Sequence, residues 1–258
     1  MGNSDQNRAV DGIESLRKAL EAEARACLEL QRQLDRADAD FEEFVSIAAH
    51  NLRESLRDVA SFSQLMAETC AGRLDSQAAV FLERIQDGAA RMQSLLADVV
   101  DYWALRAGEE HSPTDMEAVL RQALLCADQQ ITERSAVVTH DPLPRVWGDF
   151  EILTKILRHL IRNAIEYCDT PSPRVHVSSR RLDLDWVFSV QDNGPGIDPA
   201  FHGRIFEVFK RLHGKDYPGN GLGLAFCKKA IERHGGRMRV ESNPGAGTTF
   251  YFSLLAAD

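Results

Sequence analysis

Between Ile13 and Phe44 one position recurs at alternating steps of three and four: Ile13, Leu16, Leu20, Glu23, Cys27, Leu30, Leu34, Ala37, Phe41 and Phe44. Such a spacing keeps one seam of a helix turned to a partner, and charged residues fill the remaining positions, so it predicts a parallel coiled coil. Glu23 and Ala37 are its soft positions. The competing reading is a long helix packed on a core of its own chain, but nothing downstream offers a partner of that length. At Val45 the register shifts by one residue and continues through Ala48, Leu52, Leu56, Val59, Phe62 and Met66. A turn, "CAGRLDS" (70–76), leads to a second periodic run at Leu82, Ile85, Ala89, Met92, Leu96, Val99 and Trp103. Residues 41–106 therefore read as a helical hairpin. Two helices cannot close a core, whereas two copies can, as a dimeric four-helix bundle.

Past Trp103 the pattern changes. "AGEEHSPT" (107–114) reads as a linker. Residues 115–134, 149–168 and about 222–234 have the look of helices, and 174–182, 185–192, 237–242 and 248–254 that of strands. The expected organisation is α+β: a coiled-coil signalling helix over 1–40, a dimerisation hairpin over 41–106, and an α/β-sandwich domain with one sheet over 114–258. A net charge of −9 gives no reason to expect nucleic acid as a partner. The five cysteines lie far apart, without metal-ligand spacing or an even count, which predicts a reducing, cytoplasmic compartment. No apolar run approaches the ~20 residues that span a bilayer, and the polar start has no signal-peptide core.

Chemistry concentrates between 155 and 250. "DNGPGI" (192–197) follows a strand, where two glycines let a flat ligand approach the backbone and Asp192 can accept a hydrogen bond from an exocyclic amine. "GNGLGLAFCKKAIERHGG" (219–236) sets three glycines at the mouth of a helix, where free amides and the helix dipole favour phosphate. Between them "FEVFKRLHGKDYP" (206–218) carries aromatics with Lys210, Arg211 and Lys215, a composition suited to a lid. Upstream, "LRHLIRNAIEYC" (157–168) puts Asn163 on a helix with His159 one turn earlier on the same face. A lone glycine-rich turn is more often structural. The order of the elements is the specific part, and it fits neither a Walker loop nor a dinucleotide fingerprint.

From about Phe41 to Leu254 these residues resemble sensor histidine kinases, especially the C-terminal module of phytochrome-type kinases. "FVSIAAHNLRESLR" is similar to that family's phospho-acceptor box, and "NAIEY", "DNGPGI", "IFEVFKRLHG", "GNGLGLAFCKKAIERHGG" and "GAGTTFYF" to its nucleotide-binding motifs. The resemblance implies ATP and Mg²⁺ as cofactors. It implies that Asp192 binds the adenine amine beside Gly194 and Gly196, and that Asn163 coordinates Mg²⁺. Gly219, Gly221 and Gly223 would bend the lid and cradle phosphate, and Arg211, with Lys210, would neutralise the transferring phosphoryl group. His50 would be the phospho-acceptor. It further implies a homodimer, a response-regulator receiver domain as partner, and an upstream sensor. Helical geometry agrees on His50, which points roughly 120–200° away from Val45, Ala48, Leu52 and Leu56 and so faces water.

The sequence departs from that family at the chemistry. Asn51 stands where an acidic residue normally follows the histidine; an amide accepts a hydrogen bond but takes no proton, and general-base help is typically worth ~10²–10⁴ in rate. Glu54, one turn on, is the nearest carboxylate. Ser55 replaces a usual proline, which predicts a straighter helix. His159 stands for a usual Asn and Glu166 for a usual Lys, which predicts weaker ATP binding. Two readings follow: a slow histidine kinase, or a non-catalytic dimeric signalling protein that binds nucleotide and a receiver. A third, a phosphotransfer protein phosphorylated by a partner, would not need the glycine motifs.

Overall fold

The computed structural model describes residues 3–70, 75–105, 111–210 and 220–257. The chain divides into two units, Met1–Ser55 and Leu56–Asp258. The first unit is a stretch of helix α1 (Asn3–Thr69), which is helical without a break from Asn3. Leu20, Cys27 and Leu30 of the expected seam are exposed, as are Phe41 and Phe44. Around the histidine, Val45 and Ala48 are half-buried and Ala49 is buried, while His50, Asn51 and Glu54 are exposed. Leu52, expected on the inner seam, is exposed instead.

The second unit begins on α1 at Leu56 and continues through α2 (Ser76–Trp103), where the Asp75 carboxylate accepts a hydrogen bond from Ala78 N (2.7 Å) and starts the helix. Each of these two helical segments has a buried row and an exposed apolar row. Ser63, Leu82 and Ala89 are buried, whereas Val59, Phe62 and Met66 on α1 and Phe81, Ile85 and Met92 on α2 are exposed, Phe62 to 71%.

The rest of the unit is a sheet covered on one face by three helices. Strands β2 (Val137–His140), β4 (Arg174–Leu182), β5 (Asp185–Asp192), β6 (Met238–Ser242) and β7 (Thr248–Leu255) lie in the order β2-β4-β5-β7-β6, antiparallel except for the β2–β4 pair. Helices α3 (Met116–Glu133), α4 (Phe150–Glu166) and α5 (Gly223–Arg233) supply the other layer. Strand alternation decides which residues meet them: Val175, Val177, Phe188, Val190, Phe250 and Phe252 are buried on the inner face, with Phe188 stacked on Phe252 at 5.0 Å. Against them α4 buries Ile156, Leu157, Leu160, Ile161 and Ile165, at the spacing of a helix face wider than a single seam.

Several sequence expectations change. Asp115 and Asp149, read as helical, are N-caps whose carboxylates accept from Glu117 N (3.0 Å) and Ile152 N (2.8 Å). The linker assigned to 107–114 gives way at Ser112 to a strand, β1 (Ser112–Asp115), paired with β3 (Arg145–Gly148). Thr114 Oγ donates to Gly148 O at 2.8 Å, a partner 34 residues away, so the pairing and not local turn chemistry sets that conformation. This pair forms a second sheet where one was expected. Strands β1, β2 and β3, of four residues each, are too short to show a period.

Candidate functional site

The site is a cleft in the second unit between the C-terminal half of α4, the end of β5 with the loop after it, and the start of α5. Its apolar end is lined by Ala164, Ile197, Ile205 and Leu224 together with Asp192, Gly194 and Thr248. Its polar end is lined by His159, Arg162, Glu166, Asn220, Gly221 and Gly223. Asn163, Tyr167 and Lys210 line both ends, so the two form one continuous cleft. Here the structure brings together Asn163, Asp192, Gly194, Gly196, Lys210, Gly221, Gly223 and His159. Arg211 and Gly219 lie outside the described residues, as does most of the segment read as a lid.

Asp192 is the last residue of β5, where the strand runs out of ladder partners. Its Oδ1 accepts two backbone hydrogen bonds, from Gly194 N (2.9 Å) and Thr248 N (3.0 Å). Neither bond uses Oδ2. Burial pushes this carboxyl above the ordinary carboxylate range, and the two amide bonds pull the other way. The glycines around it are required by close approach. A Cβ on Gly247 (φ +77°) would lie 2.2 Å from Asp192 O, and one on Gly196 (φ +77°) would lie 2.0 Å from Asn243 O. The result is an acceptor held rigidly at the mouth of an apolar slot, which is suited to an amine on a flat heterocycle.

The other end has opposite character. Among the described residues no side chain caps the first turn of α5, whose amides are the donors an anion needs. Lys210 lies 3.9 Å from Glu207 and is half-exposed. Glu166 pairs with Arg162 at 3.5 Å and accepts from Gln130 at 3.4 Å. Burial raises its carboxyl, which Arg162 offsets and Asp98 reinforces. His159 is 3% exposed, its ring 5.3 Å from that of Phe226, and among the described residues neither ring nitrogen has a hydrogen-bond partner. Burial, with Arg162, Arg158 and Lys155 nearby, lowers its pKa to about 3, so the ring is neutral. Among the described residues no three His, Cys, Asp or Glu side chains are grouped to hold a metal. A cation here would need oxygens from a ligand, which is the condition that a nucleotide's phosphates meet; Asn163 offers an amide oxygen beside them.

Four residues that the sequence reading does not single out contribute to the site. Thr248 anchors Asp192 through its backbone, Tyr167 and Ile205 wall the cleft, and Asn220 lines its polar end while donating to Asp98 Oδ2 at 2.9 Å. Each lies in a quoted motif, Tyr167 in "NAIEY", Ile205 in "IFEVFKRLHG", Asn220 in "GNGLG" and Thr248 in "GAGTT", but no local rule picks it out of its motif. In the first unit, Ser55 Oγ donates to Asn51 O at 3.1 Å, so the residue replacing a proline adds a bond to the carbonyl that a proline would have released.

Residues 148–258 match the family described as histidine kinase-, DNA gyrase B-, and HSP90-like ATPase. Over 88% of its length the chain is 41% identical to cyanobacterial phytochrome A of Nostoc sp., and over 90% it is 39% identical to phytochrome-like protein Cph1 of Synechocystis sp.. It spans only 30% and 31% of those curated relatives. Among solved structures, full-length ShkA in complex with AMPPNP superposes with a TM-score of 0.66 at 26% identity, covering 83% of this chain and 46% of that one. Histidine kinase ThkA in complex with response regulator TrrA shares the fold, with a TM-score of 0.56 at 21% identity over 83% of this chain and 61% of that one. With an ATP-binding domain of that family over residues 148–258 and a helical region before it, the chain belongs to the family of sensor histidine kinase catalytic modules.

Proposed function

We propose that this chain is a two-component histidine kinase. His50 takes the γ-phosphoryl group of ATP and passes it to an aspartate on a response-regulator receiver domain. The observation that carries the nucleotide half is Asp192, whose Oδ1 is locked by two backbone amides at the end of an apolar slot while Oδ2 takes part in neither bond. That oxygen accepts from the adenine amine, and Gly194 and Gly196 leave room for the ring. At the polar end the open amides of α5 and the backbone of Gly219, Gly221 and Gly223 receive phosphate, while Lys210 and Arg211 offset its charge. Asn163, with the phosphates, would hold a Mg²⁺ ion, which would supply electrostatic stabilisation of the transferring group.

His50 is exposed on α1, as an acceptor for a mobile nucleotide domain needs to be. In the transfer an imidazole nitrogen forms a bond to phosphorus as the bond to the bridging oxygen of ADP breaks, and the ring gives up a proton. Asn51 accepts a hydrogen bond from the ring but takes no proton, and Glu54 is the remaining carboxylate within a turn. The proposed reaction is therefore slow. The exposed apolar rows of α1 and α2 support a homodimer closed as a four-helix bundle, and the heptads of residues 1–40 support a coiled coil that carries a signal from an upstream sensor. A cytoplasmic location belongs to the same proposal; among the described residues no helix is long and apolar enough to cross a membrane.

A second reading, a non-catalytic dimeric adaptor that binds nucleotide and a receiver, is favoured by Glu166, a half-buried carboxylate at the end meant for phosphate. Incubation with γ-labelled ATP and Mg²⁺ separates the two. The kinase reading expects acid-labile, alkali-stable label on the protein, absent from His50→Gln. Measurable ATP binding without label rejects it in favour of the adaptor. Asn51→Asp is expected to raise the labelling rate at least about tenfold; an unchanged rate shows that proton removal there is not limiting.

A further inference from the structure

We infer that His159 makes the cation site of this cleft a mixed nitrogen–oxygen site, so that nucleotide binds more tightly with Co²⁺ or Mn²⁺ than with Mg²⁺. The inference rests on the nucleotide reading above. It starts from an unexplained group: an imidazole 3% exposed, at the polar end of the cleft, with both ring nitrogens lacking a partner. A buried donor or acceptor without a partner is destabilising, and among the described residues Phe226, which packs against the ring, offers no polar atom. Room for the ring is deliberate in one respect: a Cβ on Gly223 would lie 3.0 Å from Nδ1.

Asn163 lies one helical turn beyond His159 and Glu166 almost two, so imidazole, amide oxygen and carboxylate line the same stretch of the cleft. The neighbouring cations are partly offset, Arg162 by Glu166 at 3.5 Å and Lys155 and Arg158 by Asp101 at 2.7 and 3.9 Å. The ring is neutral and so keeps a lone pair. Mg²⁺ demands oxygen ligands in near-ideal octahedral geometry, whereas first-row transition cations accept imidazole with affinity rising from Mn²⁺ to Co²⁺. A nitrogen donor beside Asn163 therefore shifts the preference away from Mg²⁺.

Two measurements on the full chain test this. Calorimetric titration with a non-hydrolysable ATP analogue, each cation in saturating excess, is expected to give affinities rising from Mg²⁺ through Mn²⁺ to Co²⁺, with Co²⁺ at least tenfold above Mg²⁺. In His159→Asn the spread is expected to shrink below threefold. Independently, pulsed EPR of the Mn²⁺·analogue complex of wild-type protein labelled with ¹⁵N-histidine is expected to show a ¹⁵N coupling, so the test survives if the variant fails to fold. Tight binding with equal affinity for the three cations and no ¹⁵N coupling overturns the inference and leaves the nucleotide reading standing. No binding with any cation overturns both.

Discussion

In the proposed nucleotide site Asp192 accepts a hydrogen bond from the ligand while sitting where a charge is disfavoured. Its pKa is raised in the folded chain, so the folded state holds a proton to higher pH than the unfolded state does. Stability contributed by this group therefore falls as pH rises from the unfolded value toward the folded one, and the penalty persists above it. Asp192→Asn keeps an oxygen for the amides of Gly194 and Thr248 and removes the charge. At neutral pH that variant is expected to melt no lower than wild type while losing nucleotide affinity by at least about tenfold, as calorimetry and thermal denaturation would show. In the wild type, nucleotide affinity is expected to decline on acidification at a higher pH than an ordinary carboxylate would give. Gly247 is the matching backbone constraint. Gly247→Ala places a methyl group against Asp192 O at a positive φ, and is expected to cost at least about 1 kcal/mol of stability and weaken nucleotide binding together.

At the scale of elements, α2, α3 and α4 each owe their start to a single carboxylate. Asp149 accepts from Ile152 N and its own amide donates to His234 Nε2 at 3.2 Å, tying the start of α4 to the end of α5. Asp149→Ala is expected to destabilise the fold by about 1 kcal/mol, read from a denaturant midpoint with an unchanged slope. In α1 the proposal of a parallel coiled coil is testable through Cys27, which occupies a seam position and is exposed. Mild oxidation is expected to link two chains through Cys27, and Cys27→Ser to abolish that dimer on non-reducing gels; no cross-link in the wild type would argue against a parallel seam in this register.

For the molecule, the question is what the apolar rows of α1 and α2 are for. Monomeric proteins rarely expose contiguous apolar patches larger than a few hundred Å², and Phe62, Met66, Phe81, Ile85 and Met92 are each about half-exposed or more. A fragment covering residues 111–258 keeps both sheets, α3, α4 and α5, and loses these rows. It is expected to sediment as a monomer that still binds nucleotide, whereas the full chain sediments as a dimer at the same concentration. The fragment also loses the Lys155–Asp101 ion pair (2.7 Å) and the bond from Lys229 to Tyr102 O (2.9 Å), so it is expected to be somewhat less stable.

The sequence by itself determined the helical N-terminal stretch, seven elements of the α/β layer and the order of the nucleotide motifs, because each rests on local rules: a period of 3.6 or 2, and glycines at closely approached turns. It also placed His50 on an exposed face, since a helix converts spacing into direction. Only the tertiary structure decided what depends on distant partners. Strand β1 forms because β3 is there to pair with it, the inner row of α1 near the histidine runs through Ala49 and not Leu52, and Thr248 acts on Asp192 across 56 residues of chain. His159 is the sharpest case. As a letter it was a substitution in a motif; its burial against Phe226 beneath Gly223, with both nitrogens unpartnered, follows from packing between two helices that no local pattern encodes.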